Sequence, residues 1–206
     1  MKILVGIPCM ESIPTDTVNS LLHLKKDGHT VDFLTEALSV VHVARELIAN
    51  AAIRGGYDYL LFIDSDMVFT PDLLRQLLKA DKDIVTGLAF MRKPPFKPCI
   101  YTKMKIGAAG EKQEELLTDF DAGLIEVEGC GLACCLISVK ALKALKERNS
   151  ALFWPVNTYG EDLSFCIKAR QAKFRIWADT RVKVGHIGHF IVTQADYEEW
   201  NGGQKE

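Results

Sequence analysis

Asp64 and Asp66 stand two residues apart at the end of an unbroken apolar run, Tyr59-Leu60-Leu61-Phe62-Ile63. Such a run reads as a central strand covered on both faces, and residues two apart on an extended segment point the same way. Two carboxylates facing one way repel unless a cation lies between them. Carboxylate oxygens suit Mg²⁺ or Mn²⁺, which commonly complete their shell with phosphate oxygens. One reading of Asp64-Ser65-Asp66 is therefore a metal site that holds a diphosphate. The other is a turn whose acid faces the helix start near Thr70. The chain contains three Asp-x-Asp tripeptides, and position separates them. Asp81/Asp83 precede a strand and Asp119/Asp121 lie in a polar stretch. Only Asp64/Asp66 follow a strand at the end where open α/β sheets bind ligands, which favours metal and phosphate.

Further residues carry chemistry with a structural alternative beside it. Glu161-Asp162 opens a helix after Gly160, where acids suit the helix dipole or serve catalysis. His186 and His189 follow a short strand. They are either structural or able to reach a metal shared with Asp66. Arg45 sits on the helix before the apolar strand, as part of a solvated face or as a guanidinium near a nucleotide. Arg92, Lys93 and Lys97 form a basic loop that is either solvated or a phosphate clamp. Trp154 lies in a loop, as core or as a surface that stacks on a sugar.

The elements that position these residues alternate. A strand from Ile3 to Ile7 precedes a helix N-capped near Thr15, and a strand from Thr30 to Thr35 precedes a helix ending at Gly55-Gly56. Tyr59 to Ile63 follows, then a helix with Thr70 as N-cap and Pro71 in its first position, then a strand from Ile84 to Phe90. This alternation predicts an α/β fold with a mostly parallel sheet between helices. Residues 100 to 128 read as irregular, with a turn from Gly107 to Gly110 and a hairpin. A strand from Leu132 to Ile137 leads into a helix capped by Ser138, and Glu161 to Ala172 is helical. Phe174 to Trp177 and Arg181 to Val184 read as two short strands.

The chain has 206 residues, 48% of them hydrophobic and 25% charged, with net charge −2. That suits one globular domain, with roughly 70% of the unfolded chain's surface removed from water on folding. It excludes a disordered chain, a collagen and a coiled coil, and the net charge argues against a protein built to wrap nucleic acid while leaving room for a local basic groove. No apolar run reaches the ~18 residues of a membrane span, and the N-terminal segment lacks the marks of a signal peptide. Six cysteines, several inside apolar runs, fit buried thiols in a reducing cytoplasm better than a disulfide scaffold.

Four blocks in this order resemble the GT-A glycosyltransferases, specifically family 2-like members, over roughly residues 1 to 190. Lys2 to Pro8 resembles the first strand, whose end lies beside the nucleotide base. Val43-Ala44-Arg45 resembles the family's Ala-Arg-Asn segment near the nucleotide, with Glu46 in place of the asparagine. Leu60 to Asp66 resembles the strand and Asp-x-Asp motif that holds metal and diphosphate. Gly160 to Cys166, with Trp177-Ala178-Asp179 and Gly185-His186, resembles the acceptor-side Glu-Asp motif and the metal-binding histidine.

The resemblance implies one GT-A domain over 1–206. Residues 1–98 form its nucleotide-sugar half, 99–190 its acceptor half and 191–206 a tail, with a small antiparallel hairpin element. It implies a UDP- or GDP-linked sugar donor, Mn²⁺ or Mg²⁺ on Asp64, Asp66 and His186, and a saccharide or other hydroxyl acceptor. Pro8, Arg45, Ser65, Arg92 and Lys93 would serve the nucleotide and its phosphates. Asp162 would act as base beside Glu161, with inversion of the anomeric centre. Two alternatives stand: an inactive nucleotide- or carbohydrate-binding module, and a sugar-phosphate nucleotidyltransferase. The latter needs a glycine-rich loop after the first strand, whereas Pro8 to Pro14 holds no glycine.

Overall fold

The computed structural model describes residues 1–106, 112–156 and 158–188. The Gly107 to Gly110 turn, His189 and the 191–206 tail lie outside the described residues. The chain runs β1 (Lys2–Pro8), α1 (Thr15–Leu22), β2 (Thr30–Glu36), α2 (Val41–Arg54), β3 (Tyr59–Ile63), β4 (Met67–Val68) and α3 (Leu73–Lys79). It continues through β5 (Ile84–Leu88), β6 (Ile100–Ile106), β7 (Lys112–Leu116), β8 (Leu124–Val127), β9 (Gly129–Cys130) and β10 (Cys134–Ser138). It closes with α4 (Val139–Lys146), α5 (Glu161–Gln171), β11 (Ile176–Lys183) and β12 (Gly185–His186).

Among the described residues the main sheet has seven strands in the order β2-β1-β3-β10-β5-β11-β8. β2, β1, β3, β5 and β11 run one way, and β10 and β8 run against them. The sheet is thus mostly parallel, as the alternation predicts. The antiparallel β10 is wedged between β3 and β5, so strands from the two halves of the chain interleave.

Side-chain alternation explains why β3, and β1 from Ile3 onward, are apolar. Ile3, Val5, Ile7, Leu61 and Ile63 pack on one face with Leu73, Leu74 and Leu77 of α3. Leu4, Leu60 and Phe62 point to the other face, against Ile48 of α2, Leu142 of α4 and Phe165 of α5. Each such fully buried side chain contributes about 1.5–3 kcal/mol. Gly6 lets α2 approach β1: a Cβ there would lie 2.3 Å from Ile48 Cγ2.

Several boundaries differ from expectation. Pro14, not Thr15, holds the N-cap of α1, without a side-chain cap bond. Helix α3 starts at Leu73 after Asp72, because Thr70 and Pro71 are spent in a turn closed by Leu73 N–H on the Thr70 carbonyl at 3.1 Å. The two short strands expected after Phe174 are one, β11, with a register shift between Asp179 and Lys183. There Asp179 accepts from the Arg181 backbone N–H and guanidinium at 3.1 and 2.8 Å. Ser138 caps α4 as expected, accepting from Ala141 N–H at 3.1 Å. The described parts of this region, 100 to 106 and 112 to 128, are more regular than expected, since β6, β7 and β9 form a three-stranded sheet and β8 edges the main one. All six cysteines are free thiols. Among the described residues no helix is long and apolar enough to cross a membrane.

Candidate active site

The parallel strands β1, β2 and β3 end side by side, with Pro8 opposite Glu36 and Gly6 opposite Phe62. Their carboxyl ends open on a cavity of about 270 Å³ lined by Pro8, Asp64, Ser65, Asp66, Arg92 and His186. Cys9, Met10, Ser39, Val41 and Ala44 complete its wall. Loops leaving β1 and β2 meet there because parallel strands put their exits at one edge.

Asp66 and His186 are brought together by a short antiparallel pair. His186 of β12 sits opposite Met67 of β4, and Ile187 N–H donates to the Asp66 carbonyl at 2.8 Å. His186 Nε2 lies 3.3 Å from Asp66 Oδ1, and Arg92 pairs with Asp66 Oδ2. His186 Nδ1 is 2.8 Å from the Phe90 carbonyl. A carbonyl only accepts, so Nδ1 carries a proton and Nε2 is the nitrogen turned to the carboxylate. Burial pushes the Asp66 carboxyl up, but its hydrogen bond to His186 and the charges of His186 and Arg92 outweigh this and hold it below the usual range. The bond to Asp66 raises the His186 pKa against the opposing effect of burial.

Asp64 Oδ1 is held instead by Arg45, whose Nη2 donates at 2.7 Å. Arg45 is 2% exposed and does not line the cavity. Its Nε also donates to Glu161 Oε1 at 3.5 Å. Asp162 follows Glu161 in the first turn of α5. Burial, then the Glu161 charge, push the Asp162 carboxyl up to about 6. Cys99 feels the same carboxylate: burial first, then Asp162, pushes its thiol up to about 11.

The donor chemistry of the Asp66–His186 pair, one carboxylate and one imidazole, fits a hard divalent ion that keeps further positions for water or phosphate. Among the described residues no three His, Cys, Asp or Glu side chains converge into a closed cage. The pair is therefore suited to a shared, open site rather than a structural one. Lys93 is exposed in the loop after Arg92 and is not part of the cavity wall.

No family model matches this chain, and no curated protein sequence does. Solved structures do match its fold. GalNAc-T7, solved with UDP, GalNAc and Mn²⁺, superposes with a TM-score of 0.61 at 12% identity over 90% of this chain and 43% of its own. S. aureus TarS 1-349, in complex with UDP-GlcNAc, gives 0.54 at 16% identity over 96% of this chain and 64% of its own. The chain has the GT-A glycosyltransferase fold. A197 from STIV gives 0.58 at 22% identity over 94% of this chain and 97% of that one.

Within this GT-A fold, two supports escaped sequence reasoning. Glu46, next to Arg45 on α2, does not line the cavity. It accepts from the backbone N–H of Leu152 and Phe153 at 2.7 and 3.1 Å and pairs with Lys146. Lys168 of α5 is buried and donates to the carbonyls of Ala151, Leu152 and Trp154 at 3.0, 3.1 and 2.9 Å. Together they pin the loop before α5 from both sides. A lysine inside an otherwise apolar helical stretch, Phe165 to Ala169, was the available signal. Trp154, within that loop, is 60% exposed, and its ring meets that of His42 in a T-shaped contact with the centroids 4.9 Å apart.

Proposed function

We propose that this protein is a metal-dependent glycosyltransferase. It moves a sugar from a UDP- or GDP-linked donor to the hydroxyl of a saccharide or other acceptor, with inversion. The observation that carries the reading is the pairing of two chemistries at one sheet edge. Asp66 and His186 line the cavity, and Asp162, its carboxyl pushed up to about 6, adjoins Glu161, which Arg45 ties to Asp64.

The chain's residues divide the work. Pro8 and the β1 exit bound the base side of the cavity, Ser65 and Arg92 lie along the diphosphate, and Lys93 adds charge to the same loop. Asp66 and His186, with Asp64 beside them, would hold Mn²⁺ or Mg²⁺, which supplies neutralisation of the diphosphate's charge. Asp162 accepts the proton of the acceptor hydroxyl as that oxygen bonds to the anomeric carbon and the bond to the diphosphate breaks. A base with a pKa near 6 is ionised at neutral pH yet basic enough to take that proton. Glu161 orients the acceptor or keeps Asp162 in place.

Thermal unfolding with UDP, GDP, CDP, TDP and ADP, each with and without Mn²⁺, tests the donor site. Ligand at 100 times its Kd adds about 2.7 kcal/mol, which raises the midpoint by roughly 5–10 °C for a chain of this size. One nucleotide should give a manganese-dependent rise that Asp66→Ala abolishes. No rise with any nucleotide would overturn the reading and favour a binding module for another ligand.

A further inference from the structure

Arg45 joins the two sides of the candidate site through one buried guanidinium. Nη2 donates to Asp64 at the end of β3 and Nε to Glu161 at the start of α5. The guanidinium carbon lies 5.1 Å above the Phe62 ring. Phe62 meets Phe153 edge-on at 5.5 Å, and Phe153 stacks on Phe165 at 5.1 Å. The cation therefore rests on an aromatic floor contributed by β3, the loop before α5, and α5 itself. Nη1 is buried and has no hydrogen-bond partner among the described residues.

A guanidinium removed from water is costly unless carboxylates and hydrogen bonds compensate it. Here the compensation comes from two acids that belong to different segments, Asp64 after β3 and Glu161 at the start of α5. Asp64 lines the donor cavity, and Glu161 adjoins the base. The planar fork of arginine can reach both at once, whereas the compact ammonium of lysine cannot.

We propose that Arg45 is a positioning residue: it fixes Asp64 relative to the Glu161-Asp162 turn and does not itself touch the nucleotide. What the site binds rests on the glycosyltransferase reading; the bridge does not.

The test is a pair of double-mutant cycles on the full chain. The first combines Arg45→Met with Asp64→Ala and reads UDP affinity in Mn²⁺ by calorimetry. Arg45→Met should weaken UDP roughly tenfold when Asp64 is present, about 1.4 kcal/mol, and leave the Asp64→Ala protein's affinity unchanged. Arg45→Lys should not restore affinity. An equal loss on both backgrounds, or rescue by lysine, would mean direct contact or simple charge balance and would overturn the proposal. The second cycle combines Arg45→Met with Glu161→Gln and reads the unfolding midpoint without nucleotide. Non-additive midpoints in this cycle, and in the Asp64 cycle measured the same way, are expected. Additive midpoints in both would overturn the bridge whatever the protein binds. If wild type binds no UDP and no other nucleoside diphosphate, the glycosyltransferase reading fails, and the midpoint cycles alone decide the bridge. Should Arg45→Met not fold, Arg45→Lys carries both cycles.

Discussion

His186 gives its Nδ1 proton to the Phe90 carbonyl at 2.8 Å and turns Nε2 toward Asp66 at 3.3 Å. One imidazole thus ties the segment after β5 to the turn after β3, and its charge state sets the strength of that tie. The His186 pKa is raised from its ordinary value of 6.5, so the protonated ring is favoured in the folded chain. The stability this supplies is fully present below the unfolded pKa and lost as pH rises through the higher folded one. In EDTA, His186→Gln should therefore lower the unfolding midpoint more at pH 5.5 than at pH 8 (roughly one unit below and more than one above the reference histidine value). An equal loss at both pH values would show that the ring acts through packing alone.

Asp162 makes the opposite prediction. Its folded pKa of about 6 lies above the reference value of 3.8, so the folded state binds the proton more tightly than the unfolded one. Stability should fall as pH rises from about 4 to about 6, with a loss on the order of 3 kcal/mol that persists above it. Asp162→Asn should match wild type near pH 4, exceed it near pH 7.5, and lose transfer by about 100-fold or more while keeping nucleotide binding. Thermal scans across this range check the first part, and product formation with the responding donor checks the second. An Asn variant less stable than wild type at pH 7.5 would sink the assignment.

Lys168 should matter to folding more than to chemistry. Lys168→Met leaves three carbonyls of the 151–154 loop without their ammonium donor. A loss of about 2–4 kcal/mol follows, which is a midpoint drop of roughly 5–15 °C. Glu46→Ala should weaken the same loop from the other side, through the Leu152 and Phe153 N–H groups. The two losses should be less than additive in a double variant, because both act on one loop. Full additivity would show that the two anchors are independent.

Gly6→Ala should reach the site without touching it. The added Cβ would meet Ile48 Cγ2 at 2.3 Å and Leu60 Cδ1 at 3.1 Å. Ile48 is branched and fully buried, so α2 must shift, at a cost of about 1–3 kcal/mol. Arg45 stands one turn earlier on the same helix. The variant should therefore weaken nucleotide binding as well as lower the midpoint. Unchanged affinity with a lowered midpoint would mean that α2 yields without moving Arg45.

The α/β alternation, and the place of Asp64 and Asp66 at the end of a central strand, could be read from the residues alone. Apolar runs at β1 and β3 announce strands buried on both faces, and they are, with successive residues packing into the two opposite cores. Asp64 and Asp66 were legible because they terminate such a run, and the end of a parallel strand is where a ligand can approach. Ser138 was legible as a cap because its reach is local, three residues ahead.

Tertiary structure alone decided the rest, because the deciding contacts join residues far apart in the chain. Nothing in the order of elements says that β10 inserts antiparallel between β3 and β5. That His186 meets Asp66 depends on two-residue strands, β4 and β12, too short to show any periodicity. Arg45 reads as a polar position on a helix face, and only packing shows it buried over Phe62 between Asp64 and Glu161. A charge can be recognised in sequence. Its partner, and hence whether it is solvated or buried, is set by how the layers close around it.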